Sequence, residues 1–291
     1  MVKDVDKEYT FEEAKSMLFE GLEPLGDEYL KDLEKAFTER WIDVYHNKGK
    51  RGGAYSSGFY DTKPYVLLNF EGKFDDVSTL FHELGHSMHS YYSRTNNTYV
   101  NSSYNIFVAE VASTVNELLL ARYMLNKSND VEEKKYLLNH LMVLYSTTIY
   151  RQVMFAEFER DMHNAYENGE VLTHEFLENH YLELVKKYFG PNANIDDYMK
   201  YEWERIPHFY YDFYVYKYAI GLSCATKIVN DILSGKENAL ENYLAFLKTG
   251  GSMYPTEELK VAGVDVFSST VYEEAIKSFD DAIEEYKKLV K

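Results

Sequence analysis

His82, Glu83 and His86, in the string Phe81-His82-Glu83-Leu84-Gly85-His86, form an H-E-x-x-H motif, and no other feature constrains the chain as strongly. An α-helix turns once every 3.6 residues, so side chains four apart share a face. Both imidazoles can then reach one metal ion with Glu83 beside them, the layout of a zinc hydrolase. The motif therefore requires a helix, and the flanking residues supply one. Asp75 or Asp76 can cap its start, and Val77, Leu80, Phe81 and Leu84 follow at helical spacing. No proline interrupts until well past Arg94.

Catalytic zinc takes three protein ligands and keeps a further position for water, so two histidines leave one donor to find. The metzincin pattern needs glycine at 89 and histidine at 92, where this chain has His89 and Tyr92. Three donors on one straight helix from His82 to His89 would spread over about 10 Å of axis, too far for one ion. His89 is read as a packing or substrate-side residue. On the next helical stretch Glu110 and Glu117 stand seven apart, on one face, among small and apolar neighbours. A carboxylate on such a face needs a partner. We assign Glu110 as the third ligand and Glu117 as an acceptor that orients a ligand histidine through its other N–H. Solvation, or pairing with Arg122, is the alternative for both.

The 291 residues suffice for a sizeable core, and no linker-like segment divides them, which predicts a single domain over 1–291. A formal charge of −17 disfavours nucleic acid and anionic membrane as partners. The lone Cys224 allows no intrachain disulfide, and neither a signal-like segment nor a membrane-length apolar run occurs, so a cytoplasmic setting is expected. Helical patterns are predicted from a Thr10/Glu13 capping box to about Leu22 and from Asp27 through Trp41 to about Tyr45. Others cover Phe107–Leu125, Asp130–Glu167, Thr173–Phe189, Tyr198–Ile232 and Glu237–Lys248, and a last one opens at a Thr270/Glu273 box and runs to Leu289. Lys48–Gly58 reads as a loop and Tyr65–Phe70 as the one strand, whose open edge could hold a peptide. The expected class is mainly α with a small β element beside the motif helix.

The segment from Phe81 to Tyr92, the Phe107-Val108-Ala109-Glu110 helix start and the Arg205-Ile206-Pro207-His208-Phe209-Tyr210-Tyr211 stretch together resemble the oligoendopeptidase F branch of the thimet oligopeptidase family. Arg51-Gly52-Gly53-Ala54-Tyr55, Leu67-Leu68-Asn69-Phe70 and Gly250-Gly251-Ser252 match as well, in order, so the resemblance covers essentially the whole chain. It implies a zincin-like helical metallopeptidase domain that hydrolyses oligopeptides with one zinc ion. It further implies that His82, His86 and Glu110 bind the metal, Glu83 is the acid/base, and His208 with tyrosines from Tyr211, Tyr214, Tyr216 and Tyr218 faces the substrate. The peptide is expected to lie along Tyr65–Phe70. Similar enzymes are about twice as long, with an N-terminal helical region closing a deep channel that is not part of this sequence. A zinc-bearing but inactive peptide- or protein-binding fragment is therefore the main rival reading, and a metal-free helical interaction protein the second.

Overall fold

The computed structural model describes residues 7–290. They divide into two compact units, residues 7–142 with 221–290, and Val143–Ile220. In chain order the helices and strands are α1 (Phe11–Gly21), α2 (Gly26–Leu33), α3 (Lys35–Thr38), β1 (Ile42–Asp43), β2 (Tyr55–Ser57), β3 (Tyr65–Leu67), α4 (Phe74–Asn96), α5 (Ile106–Lys127), α6 (Val131–Tyr145), α7 (Arg151–Glu167), α8 (His174–Phe189), α9 (Tyr216–Leu233), α10 (Ala239–Leu247), α11 (Pro255–Val261) and α12 (Ser269–Leu289). The fold is mainly helical with one small sheet, as the sequence predicts.

The first unit is organised by α4 and α5. Val77, Leu80, Phe81, Leu84 and Met88 of α4 are fully buried, together with Val108, Val111 and Val115 of α5. Gly85 lets the two backbones meet, because a Cβ there would stand 2.5 Å from the Ser113 Cα and 2.7 Å from the Ala112 carbonyl oxygen. The Asn116 side chain donates to the Phe81 carbonyl at 3.0 Å, fixing α5 to α4 just before the motif. Asp76 holds the start of α4 by accepting from the Lys73 and Glu71 amides at 2.9 and 3.0 Å. The Thr10/Glu13 capping box starts α1 as expected.

The sheet has the order β1-β3-β2, with β1 parallel and β2 antiparallel to β3. This corrects two expectations. Tyr65–Leu67 is the central strand with both edges paired, so it has no open edge for a peptide. The Lys48–Gly58 loop contains β2, and β2 is a border strand beside α4: Ser56 Oγ lies 2.8 Å from Ser87 Oγ. The helix expected through Trp41 to about Tyr45 ends at Thr38. Arg40 takes a left-handed φ of 60°, Trp41 is buried, and its carbonyl accepts from the Val66 amide at 2.8 Å. The backbone thus turns from helix pairing to sheet pairing so that the indole reaches the core. The pattern over Asp130–Glu167 is helical but contains a π segment at Ser146–Tyr150. The last helix is capped by Ser268, two residues before the expected Thr270.

The second unit packs α7 and α8 around Met154, Phe155, Phe158, Tyr181, Leu184 and Val185. The Glu202 carboxylate gathers both Arg151 and Arg205 and accepts from the Tyr181 hydroxyl at 2.7 Å. The single helix expected over Tyr198–Ile232 is not formed. Two 3-10 segments, Asp197–Arg205 and Pro207–Tyr210, precede α9. Pro207 cannot donate an amide, and Asp212 and Phe213 adopt φ of 51° and 53°. The buried Glu159 carboxylate accepts from the Phe213 amide at 2.7 Å, which holds this turn open.

Two stability outcomes follow. Gly85→Ala should cost about 1–3 kcal/mol in chemical denaturation, because α4 and α5 have no room for the methyl group. Glu258 on α11 is fully buried with both carboxylate oxygens unpartnered, and burial pushes its pKa to about 7. Its folded pKa exceeds its unfolded value, so this group's contribution to stability is fully present below pH 4.5 and is lost as pH rises through 7. Glu258→Gln should abolish that fall, worth about 3 kcal/mol between pH 4 and 8, in denaturation curves at the two pH values.

Candidate metal centre

His82 and His86 project from one face of α4, one turn apart, and their Nε2 atoms lie 3.1 Å from each other. Glu110, in the first turns of α5, brings Oε2 to 3.6 Å from each of those nitrogens. An ion held at about 2.0–2.2 Å by tetrahedral ligands would separate those ligands by about 3.3–3.6 Å. The three donors therefore fit one zinc-sized ion with little adjustment. The small neighbours of Glu110 permit this approach: Ala109 and Ala112 are buried, and the Gly221 position on α9 lies against the Glu110 Cβ.

The remaining ring nitrogens also face acceptors. His82 Nδ1 is 3.4 Å from Glu117 Oε2, and His86 turns towards the Ala109 carbonyl. Such contacts fix ring orientation and tautomer. Burial disfavours a proton on His82, but the carboxylates of Glu117, Glu110 and Glu83 outweigh it and raise its pKa to about 9. Burial, with the charge on His82, pushes His86 down to about 3. Three carboxylates around two imidazoles thus create a demand for one positive charge between the rings, which a divalent cation satisfies more fully than a proton does.

Glu83 is almost wholly buried, and burial raises its pKa, with Glu110 and Glu117 adding to the effect and His82 and the Ser56 amide opposing it. The backbone amide of Ser56 on β2 lies near this carboxylate and favours its charged form. Sequence reasoning missed Ser56, because a three-residue strand flanked by glycines carries no periodic signal. His89 is fully buried and stacks on Tyr104 with ring centroids 3.7 Å apart, also meeting Phe246 at 5.1 Å. Of the two roles open to it, packing is the one observed. Cys224 is buried, and burial pushes its thiol up to about 12.

His208, Tyr211, Tyr214 and Tyr216 belong to the second unit. The His208 ring lies 6.0, 5.5 and 6.4 Å from those of Tyr211, Tyr214 and Tyr218, so the turn after Pro207 gathers these four side chains. Tyr216 opens α9 and is partly exposed. Among the described residues a second group, His174, Glu178 and Glu204, also has donor atoms within 4.8 Å of one another, but Glu178 is engaged by Lys200 at 3.3 Å. No described helix is long and apolar enough to cross a membrane.

Comparison with known proteins places this geometry in a family. The chain is 48% identical over 290 residues to the oligopeptidase PepF of Bacillus subtilis (strain 168), covering all of this chain and 43% of that protein. It is 45% identical to the chromosomal oligoendopeptidase F of Lactococcus lactis subsp. cremoris, covering 99% of this chain and 48% of that one. The crystal structure of oligoendopeptidase-F from Enterococcus faecium superposes with a TM-score of 0.74 at 35% identity, over 98% of this chain and 47% of that chain. The chain thus spans somewhat less than half the length of these relatives. The profile of Peptidase family M3 matches residues 4–278, and the chain belongs to that family.

Proposed function

We propose that this chain carries the catalytic site of a zinc-dependent endopeptidase that hydrolyses oligopeptides. The observation that carries the proposal is the triangle of His82, His86 and Glu110 with Glu83 on the adjacent position of the same helix. Zinc held by the three donors would supply Lewis acidity and bring the pKa of a bound water to about 7. Glu83 takes a proton from the water that attacks the scissile carbonyl and returns it to the departing amine. The nearby Ser56 amide favours the charged form of Glu83, and Glu117 keeps His82 in its ligand orientation. His208 with Tyr211, Tyr214 and Tyr216 are the proposed donors to the carbonyl oxygen as charge develops there, at about 2.7–4 kcal/mol for an effective donor.

The peptide lies in extended form along β2, the border strand, instead of along the centrally placed Tyr65–Phe70. The relatives are an oligopeptidase and an oligoendopeptidase by name, which supports the substrate class. A cytoplasmic setting is part of the same reading. Purified chain should bind one equivalent of zinc by elemental analysis and cleave a quenched fluorogenic peptide, with activity lost to a chelator and restored by zinc. Glu83→Gln should keep the metal and lower turnover by about 100- to 10,000-fold. Zinc-loaded chain that binds peptide without cleaving it would identify a binding fragment instead, and a chain that takes up no zinc would overturn both.

A further inference from the structure

Arg94 lies two turns beyond His86 on α4, on the side facing β2, as Ser87 does seven residues earlier. One terminal nitrogen, Nη2, donates to the Gly58 carbonyl at 3.0 Å, while Nη1 is buried without a partner. No described carboxylate pairs with this guanidinium; burial lowers its pKa, and Tyr104 is the one group that opposes the shift. In a chain with 48 acidic and 31 basic residues, a half-buried arginine without an acid is conspicuous. Burying a charge unpaired is costly, so the site is short of an anion.

The surroundings form a recess. Arg94 opens into a cavity of about 300 Å³ lined by the serines Ser56, Ser57, Ser90 and Ser103 and by Tyr104. Ser90 Oγ and the Tyr104 hydroxyl lie 2.9 Å apart on one wall. Gly58 makes room for the guanidinium, since a Cβ there would stand 2.5 Å from Nη1. The recess adjoins the proposed catalytic groove, because Ser56 lines it and its amide also lies near the Glu83 carboxylate. Eight residues of helix separate His86 from Arg94, about 12 Å of axis, which three to four residues of extended peptide span.

We propose that this recess binds a carboxylate of the peptide substrate, three to four residues from the cleaved bond, through Arg94 and the surrounding hydroxyls. The inference rests on the reading of the groove as a peptide site. A guanidinium presents paired donors that match a carboxylate, and hydroxyls complete its remaining acceptor positions. The carboxylate can be the peptide's own C-terminus or an aspartate or glutamate side chain; the chemistry is shared.

The test uses labelled oligopeptides in matched pairs, with aspartate against asparagine at each position and free acid against amide at the C-terminus. Their binding to the zinc-loaded Glu83→Gln chain is measured by fluorescence anisotropy. One placement should bind about tenfold or more tighter in its charged form, the scale of a charge-assisted hydrogen bond. Whether an aspartate pair or the acid and amide pair shows the effect identifies the carboxylate's source. Arg94→Gln should bring that ratio to one, and Arg94→Lys, which keeps the charge and guards against misfolding as the cause, should leave an intermediate ratio. The proposal falls if no placement discriminates, or if the preference survives Arg94→Gln. Turnover of the same peptides by the parent chain is scored separately. Cleavage without charge preference removes the recess and leaves the hydrolase reading intact, whereas charge-selective binding without cleavage does the reverse.

Discussion

The contact of α4 with α5 at Gly85 is the constraint on which the site depends. With no side chain between the Gly85 Cα and the Ser113 backbone, the two helices run close enough for a glutamate on one to reach between two histidines on the other. A larger residue would push α5 outward and carry Glu110 and Glu117 with it. The Asn116 bond to the Phe81 carbonyl sets the same pair of helices from the other side of Gly85. Helix packing and donor spacing are thus one fact viewed at two scales, since the interior has no slack to absorb an error in either.

Electrostatics follow from that geometry. Glu83, Glu110 and Glu117 are drawn towards two imidazoles, and the resulting field raises His82 while burial and His82 together depress His86. Neither histidine is typical, and their opposite shifts mark a place whose field favours a single positive charge between two rings. Glu117 stands apart from the triangle of donors: it meets the far nitrogen of His82, while the near one faces Glu110.

The helical part of this arrangement was legible in the sequence because its signals are local. The spacing of His82, Glu83 and His86 implies one helix face, and the pair Glu110 and Glu117 implies another; both helices form where the apolar periodicity puts them. The sheet was less legible. Strands of two and three residues are too short for alternation to register, and whether Tyr65–Leu67 is central or marginal depends on where Ile42 and Tyr55 arrive from elsewhere in the chain. The stretch from Tyr198 to Ile232 misled for a different reason. Its composition suits a helix, but the buried Glu159 captures the Phe213 amide and Pro207 withholds one, so tertiary contacts override propensity.

The position of the Ser56 amide beside Glu83 has a consequence beyond favouring a charged carboxylate. β2 is only three residues long, and in a strand this short a shift of one residue turns every side chain to the opposite face and every amide to the opposite edge. Its alignment is pinned by β3 on one flank and by the hydroxyl contact between Ser56 and Ser87 on the other. A peptide added to this strand, as in the proposed function, would therefore pull on the backbone that lies beside Glu83. In the proposed function, docking and proton transfer would share a mechanical element, and an ill-fitting peptide that tugged β2 out of alignment would disturb Glu83 before any bond was broken.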